Sequence, residues 1–488
     1  MIFNTVDSII IILFFLSMVV IGVWSYFRSK NSEDYFVAGG KLPWWLAGIS
    51  HHVSGHSGAV FVAYAAVCYT HGFTMYIWWA FPVGIVIISC AKIFPVYWVR
   101  LRKSFQIQSP LEYLSVRYNT LTQQIIAWAG VLLKIFDVGA KWAAIGILLH
   151  VVAGISMTTG ILVSGIVTLI YVTFGGLWGV IVTDFIQFIV QVLGGIVMFV
   201  LVVNRLGGLD SITGIWKQLP PSHSQLFNDP YTPAFVVVMF FLYFLSYNGG
   251  SWSLATRYIS SPNEREASKA ATLSGVLYLT WPLILFFPMW AAPVILPGLA
   301  NPGESYGWLM IKILPQGMIG LVIASLFAAT MGMTSSDVNT IAAVITRDIL
   351  PVVSNKFRND KHPLRTARIT TFTFTLATMA IALNYGKFGG VLGLIVNWFG
   401  ALLGPTAMPL LFGLLPAFKS CGPKAAISSI VAGVVTFIIT KNMNVDSLAI
   451  EVGLPTFVSA IVFIGIGLTT KTVPRKVKDL LDVLKTRT

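Results

Sequence analysis

Asp184 lies inside an apolar run long enough to cross a bilayer. An unpaired carboxylate at that depth costs roughly 2.5–3.5 kcal/mol even on the milder insertion scale, so it must face a cation or a polar partner. Ser335 and Ser336, neighbours in a second apolar run, can present hydroxyl oxygens to the same cation or return them to the preceding helical turn. Lys134, Asp137 and Lys141 are spaced by three and four and share one face of a third helix. Asp137 can accept solute hydroxyls while Lys141 tunes it, or the two can satisfy each other and only brace the bundle. The chemistry these residues suit is recognition of an ion and a polar solute. No nucleophile–base pair, metal cluster or phosphate loop is spelled out, and GLTTK near the end lacks P-loop spacing, so an enzyme is not expected.

Two further stretches carry polar residues where a membrane span should be greasy. WWLAGISHHVSGHSGAVFVAY, residues 44–64, holds His51, His52 and His56 around Ser54-Gly55, and SYNGGSWS occupies residues 246–253. Glycine in membrane helices often serves close packing. Two interruptions in corresponding positions of two five-helix halves instead point to an inverted repeat, with an ion and solute site where unwound backbone offers free N–H and C=O groups. His51 and His52 read as packing histidines, whereas His56, close to neutrality in its ordinary titration, could also carry a proton.

The elements that must position these residues are membrane helices. The chain is 56% hydrophobic and 10% charged, with a mean hydropathy of +0.80, outside the soluble globular range. Apolar runs recur along its length without the alternation of a membrane β-barrel. We expect thirteen helices, centred near residues 17, 56, 86, 138, 165, 191, 244, 282, 330, 375, 402, 431 and 459. The first follows MIFNTVDS, which lacks a basic leader and a cleavage site, and reads as a retained span. The net charge of +14 reflects topology rather than nucleic acid binding. About two dozen of the 32 Lys and Arg lie on one set of alternating loops and about four on the other. The basic set, including Arg28, Arg100, Arg257, Arg265 and Lys356, is expected to be cytoplasmic. The N-terminus would then be outside and the basic tail KTVPRKVKDLLDVLKTRT inside. Cys68, Cys90 and Cys421 form no motif and read as core thiols. Residues 204–233 form the longest polar insert, expected outside and lidded by a short helix.

With these features in place, the chain resembles the sodium:solute symporter family, which includes bacterial sodium/galactose and sodium/sialic acid transporters. EDYFVAGGKLPWWLAGIS (33–50), YVTFGGLWGVIVTDFIQ (171–187) and SLFAATMGMTSSDVNTIAAVITRDI (325–349) carry the resemblance in order and spacing. It implies an all-α integral membrane protein with a leucine-transporter-type 5+5 inverted repeat. One polytopic domain, 1–488, would comprise a leading helix at 8–27, five-helix repeats at 43–204 and 233–417, two trailing helices in 422–470 and a tail at 471–488. The resemblance assigns an accessory sodium site to Asp184, Ser335 and Ser336. The principal sodium site falls on the carbonyls of Val53, His56 and Ala329, but its two hydroxyl positions fall on Gly332 and Met333. Sodium would then bind mainly at Asp184, bind a weakened principal site, or yield to protons through His56. The solute would meet Gly55, Ser57, Val60, Trp79, Ser251, Trp252, Tyr278 and Trp398, with Asp137 and Lys141 from the fourth helix. Asp137 stands where the sialic acid carrier has an arginine, which argues against that solute.

The resemblance therefore implies cation-coupled symport of a neutral sugar or related polar solute, and the lack of Asn-x-Ser/Thr sites favours a bacterial inner membrane. The coupling ion would be Na+ or H+, with no organic cofactor, no nucleic acid and no obligate protein partner. A sugar-acid carrier, a proton-coupled or uncoupled sugar carrier, and a non-transporting sensor or leak are the alternatives.

Overall fold

The computed structural model describes residues 4–388, 403–443, 447–470 and 472–485, and among them there is no strand, only an isolated bridge between Asn228 and Tyr231. Asn4 caps α1 (Thr5–Tyr26): its side chain accepts from Asp7 N, and its own N–H donates to Asp7 Oδ2 at 3.1 Å. The buried Asp7 also accepts Gly320 N at 2.6 Å, so one carboxylate caps the first helix and steadies the start of a much later one.

The first interrupted span consists of α2 (Trp44–Val53) and α3 (Ala63–His71), joined by turns and a 3-10 segment at Gly58–Phe61. A π turn at Tyr76–Ala80 leads into α4 (Phe81–Cys90), which bends by 53° into α5 (Phe94–Phe105). Then come α6 (Thr120–Ala153), capped by Asn119, and α7 (Met157–Arg205), capped by Ser156. The helices expected near 165 and 191 are thus one helix, kinked at Gly176 where φ is +55°. No polar loop separates them; instead Tyr35, from the EDYF stretch, packs into the kink. Its hydroxyl donates to the carbonyls of Val172 and Thr173 at 3.2 and 3.1 Å. A side chain on Gly176 would strike the Tyr35 ring at 2.5 Å. Two of the stretches that carry the resemblance therefore meet at one bend.

The second interrupted span is α8 (Pro233–Leu245), a π turn at Ser246–Gly250 and α9 (Trp252–Ile259). Gly249 has φ +130°, and an added Cβ would sit 2.6 Å from Trp98 Nε1, whose N–H donates to Asn248 O at 3.0 Å. Gly249→Ala is therefore expected to cost about 1–3 kcal/mol from backbone strain alone. It should lower the thermal midpoint of purified protein, and an unshifted midpoint would show that the turn tolerates a side chain.

The rest of the chain packs around these two breaks. Its longer described helices are α10 (Glu264–Ile295, with Pro282, Pro288 and Pro293 inside), α11 (Met318–Val344), α12 (Pro363–Leu383), α13 (Gly404–Phe412), α14 (Pro423–Asn442) and α15 (Leu448–Thr469), with a further short helix at Ser305–Ile313. Among the described residues eight helical spans are long and apolar enough to cross a membrane, or nine with the bent α4–α5 pair. The span expected near 402 falls largely outside the described residues. α6 carries Lys134, Asp137 and Lys141 within its length, and the first break divides α2 from α3. The insert at 204–233 holds a short helix at Ser211–Gly214, and His223 O accepts Phe73 N at 2.8 Å just beyond the end of α3. The basic tail forms α16 (Arg475–Lys485), which buries Val477, Leu480, Leu481 and Leu484. Arg100 donates to the Leu484 carbonyl and pairs with Glu264 at 2.8 Å, which anchors that helix.

Candidate functional site

At the first break the helical ladder stops and its carbonyls need new donors. Tyr278 Oη from α10 donates to His52 O at 3.0 Å, and Tyr247 Oη from the second break donates to Gly55 O at 3.0 Å. Each break is thus held partly by the other half of the bundle. Gly55 must be glycine for this: an added Cβ would lie 1.9 Å from the Tyr278 hydroxyl. His56 Nδ1 also faces His52 O at 3.1 Å, and its Nε2 is 3.3 Å from Gln191 Oε1. His51 is bonded at both nitrogens, to Ser274 Oγ and Tyr258 Oη, as a packing histidine should be. His52 is buried with neither ring nitrogen partnered.

Aromatic rings line this break. Trp79, in the π turn, has its ring centroid 4.9 Å from Tyr64, 5.8 Å from Tyr278 and 6.3 Å from His56. Tyr278 lies 5.4 Å from Tyr247. Gly55, His56, Trp79 and Tyr278 are therefore brought together, while Ser57 and Val60 are buried on the same unwound segment. Ser251 bonds Ser246 Oγ across the second break at 2.7 Å. Trp252 lays its indole on Gly130 of α6, and both line a small cleft with Leu133, Lys134, Gly250 and Thr406. Trp398 lies outside the described residues.

The Asp184 neighbourhood contains a cation of its own. Arg257 of α9 is fully buried, and its Nη2 lies 3.3 Å from Asp184 Oδ2. The same guanidinium donates to Ser50 Oγ at 2.9 Å, Ser54 Oγ at 3.0 Å, Ser253 O at 3.2 Å and Ser336 Oγ. Ser50 Oγ in turn donates to Asp184 Oδ2 at 2.5 Å. One side chain thus ties α2, α7, α9 and α11 together near the opened turns. The loop assignment of Arg257 is corrected here: a count of basic residues cannot see that its guanidinium turns inward. Ser336 is committed to Arg257 and Ser54, the latter at 2.8 Å, and Ser335 Oγ returns to Gly332 O at 3.0 Å. Val53 and Ala329 are buried, but an added Cβ on Gly332 would meet Val53 Cγ1 at 2.6 Å. The first break therefore packs into the space that a hydroxyl at position 332 would need.

Asp137 and Lys141 belong to a closed ion quadruplet. Lys134 Nζ lies 2.8 Å from Asp137 Oδ2 and 3.1 Å from Asp337 Oδ2, and Lys141 Nζ lies 2.7 Å from each. All four residues are at most 5% exposed, and their formal charges cancel. Asp337, on α11, escaped the sequence reading, as did Arg257's role. The signal for both was available: two lysines and one aspartate on one buried face leave an unmatched positive charge, and Asp184 needed a partner.

The model of the sodium:solute symporter family matches residues 35–433. The chain is 27% identical over 456 residues to the sodium/sialic acid symporter NanT of Aliivibrio fischeri, covering 89% of this chain and 87% of that protein. It is 26% identical over 465 residues to the sodium/glucose cotransporter of Vibrio parahaemolyticus, covering 88% and 84%. Among solved structures it is similar to a Na+-coupled sialic acid symporter in a substrate-bound outward-open state, with a TM-score of 0.85 and 20% identity, covering 96% of this chain and 99% of that one. The nucleobase-cation symporter Mhp1 follows at TM-score 0.58 and 13% identity, with 92% and 98% covered. Fold and family model agree: the chain is a multi-pass membrane protein of the sodium:solute symporter family, whose characterised relatives are transporters and not enzymes.

Proposed function

We propose that this protein imports a neutral sugar or related small polar solute together with sodium, by alternating access about the two opened turns. The observation that carries the reading is the mutual bracing of the breaks: Tyr247 of one holds the free Gly55 carbonyl of the other. A solute seated there would touch both halves at once, as alternating access requires. Relatives named above carry sialic acid or glucose. For this chain the neutral solute is favoured, because both α6 lysines are already matched by carboxylates and neither is free to serve as counter-ion to an acid. Aromatic walls suit the apolar face of a sugar ring, and bare peptide groups suit its hydroxyls. Sodium is assigned to Asp184, the N-terminus to the outside and the C-terminus to the cytoplasm.

The test is uptake of a labelled sugar panel, with sialic acid included, into proteoliposomes with sodium and proton gradients imposed separately. Accumulation of a neutral sugar under an inward sodium gradient is expected. Uptake indifferent to sodium, or confined to sialic acid, would overturn the corresponding half of the proposal. Trp79→Ala is expected to weaken apparent solute affinity about tenfold, the scale of a lost aromatic contact of about 1.5 kcal/mol. Unchanged affinity in the same assay would move the solute away from this wall.

A further inference from the structure

Trp78 stands beside the solute wall with no hydrogen bond to orient it: among the described residues its buried Nε1 meets no acceptor. Rings alone set its position. Tyr231, near the end of the polar insert and two residues before α8, lies flat on it, with centroids 5.5 Å apart and planes 12° apart. Phe235 of α8 and Tyr64 of α3 meet the same indole edge-on at 5.5 and 5.7 Å. Tyr64 in turn lies 4.9 Å from Trp79. A continuous series of rings therefore runs from the insert, through Trp78 and Tyr64, to the wall of the first break. Both tryptophans belong to the π turn Tyr76–Ala80, a type of turn that is rare and recurs at functional sites.

We propose that Tyr231 is a positioning residue for solute binding: through Trp78 and Tyr64 it holds Trp79 in the orientation that receives the solute, so that the insert sets solute affinity from a distance. The assignment rests on the reading of Trp79 given above. The insert does not need Tyr231 in order to dock. His223 O accepts Phe73 N at 2.8 Å, Gln225 O accepts Thr74 Oγ1 at 3.1 Å, and Asn228 Nδ2 donates to Thr74 Oγ1 at 2.9 Å. Gly72, with φ +60°, allows this close approach, because an added Cβ would lie 2.3 Å from His223 O. Removing the Tyr231 ring therefore leaves the insert seated and withdraws only the flat face beneath Trp78. The ring rather than the hydroxyl does this, since the hydroxyl makes no hydrogen bond among the described residues and the contact with Trp78 is face to face. Tyr231 also leads into α8, whose cap Thr232 accepts Phe235 N, so the stack joins the start of the second interrupted span to the π turn that follows the first.

The test is sodium-driven uptake of labelled glucose into proteoliposomes, or of the sugar in the panel above that wild type accumulates best. KM and maximal rate are read separately, with the thermal midpoint of each purified variant as a folding control. Tyr231→Ala is expected to raise KM about three- to tenfold, the span one aromatic pair supports, with the maximal rate kept. Tyr231→Phe keeps the ring and should stay within about twofold of wild type in KM. In a Trp79→Ala background, Tyr231→Ala should add less than about twofold, because the wall it positions is gone. An unchanged KM in Tyr231→Ala, or full additivity with Trp79→Ala, would overturn the proposal and leave the wall in place. An unchanged KM in Trp79→Ala would remove the wall and the proposal together. If Tyr231→Ala does not fold, Tyr231→Leu, which keeps apolar bulk without a flat face, takes its place under the same criteria.

Discussion

Asp337→Ala is expected to destabilise the protein by about 3–5 kcal/mol, the penalty for removing one partner from a buried ion cluster. The variant leaves Lys134 and Lys141 sharing only Asp137, with one positive charge unmatched at most 5% exposed. Adding Lys141→Met should restore much of the loss, because one lysine and one aspartate then remain. The measurement is a double-mutant cycle on thermal or denaturant midpoints of purified protein. A single variant within about 1 kcal/mol of wild type would show that water reaches the cluster and that the four charges are not mutually dependent.

Asp184→Asn should abolish sodium stimulation of uptake. Two consequences of that substitution must be separated: loss of a cation ligand, and loss of the Arg257 partner at 3.3 Å. The double variant Asp184→Asn with Arg257→Gln removes both charges and should recover much of the folding loss, yet remain insensitive to sodium. If the double variant regains sodium-dependent uptake, Asp184 acts only as a structural counter-ion and the cation binds elsewhere.

Apolar runs placed most of the helices, because a bilayer demands about 20 apolar residues per span whatever the tertiary packing. Both interruptions were legible for a related reason: Ser54-Gly55 and Asn248-Gly249-Gly250 are poor occupants of a continuous lipid-facing helix. The kink at Gly176 was less so, since the expectation of two helices could not see Tyr35 arriving from 141 positions earlier to cap the freed carbonyls. Asp184 was found because a lone acid in a span is conspicuous. Its partner Arg257 was not, because it sits near a basic loop and counts as one more positive charge there. Asp137 and Lys141 drew attention as a candidate solute contact, and the structure places them in a self-satisfied quadruplet that the missing acid, Asp337, completes. Long-range pairing between α6 and α11 leaves no periodic trace in either segment; only the charge arithmetic on α6 hinted at it.

The central claim is that the two opened turns face one chamber that is reached from one side of the membrane at a time. Ser57→Cys and Ser251→Cys, one in each break, can be tested in a background in which the buried Cys68, Cys90 and Cys421 are replaced by serine. A membrane-impermeant maleimide is applied to right-side-out and inside-out vesicles, in sodium and in potassium. Both positions should label from the same side under a given condition and change sides together when the cation is exchanged. Labelling of the two from opposite faces under one condition, or of neither under any, would contradict a shared chamber.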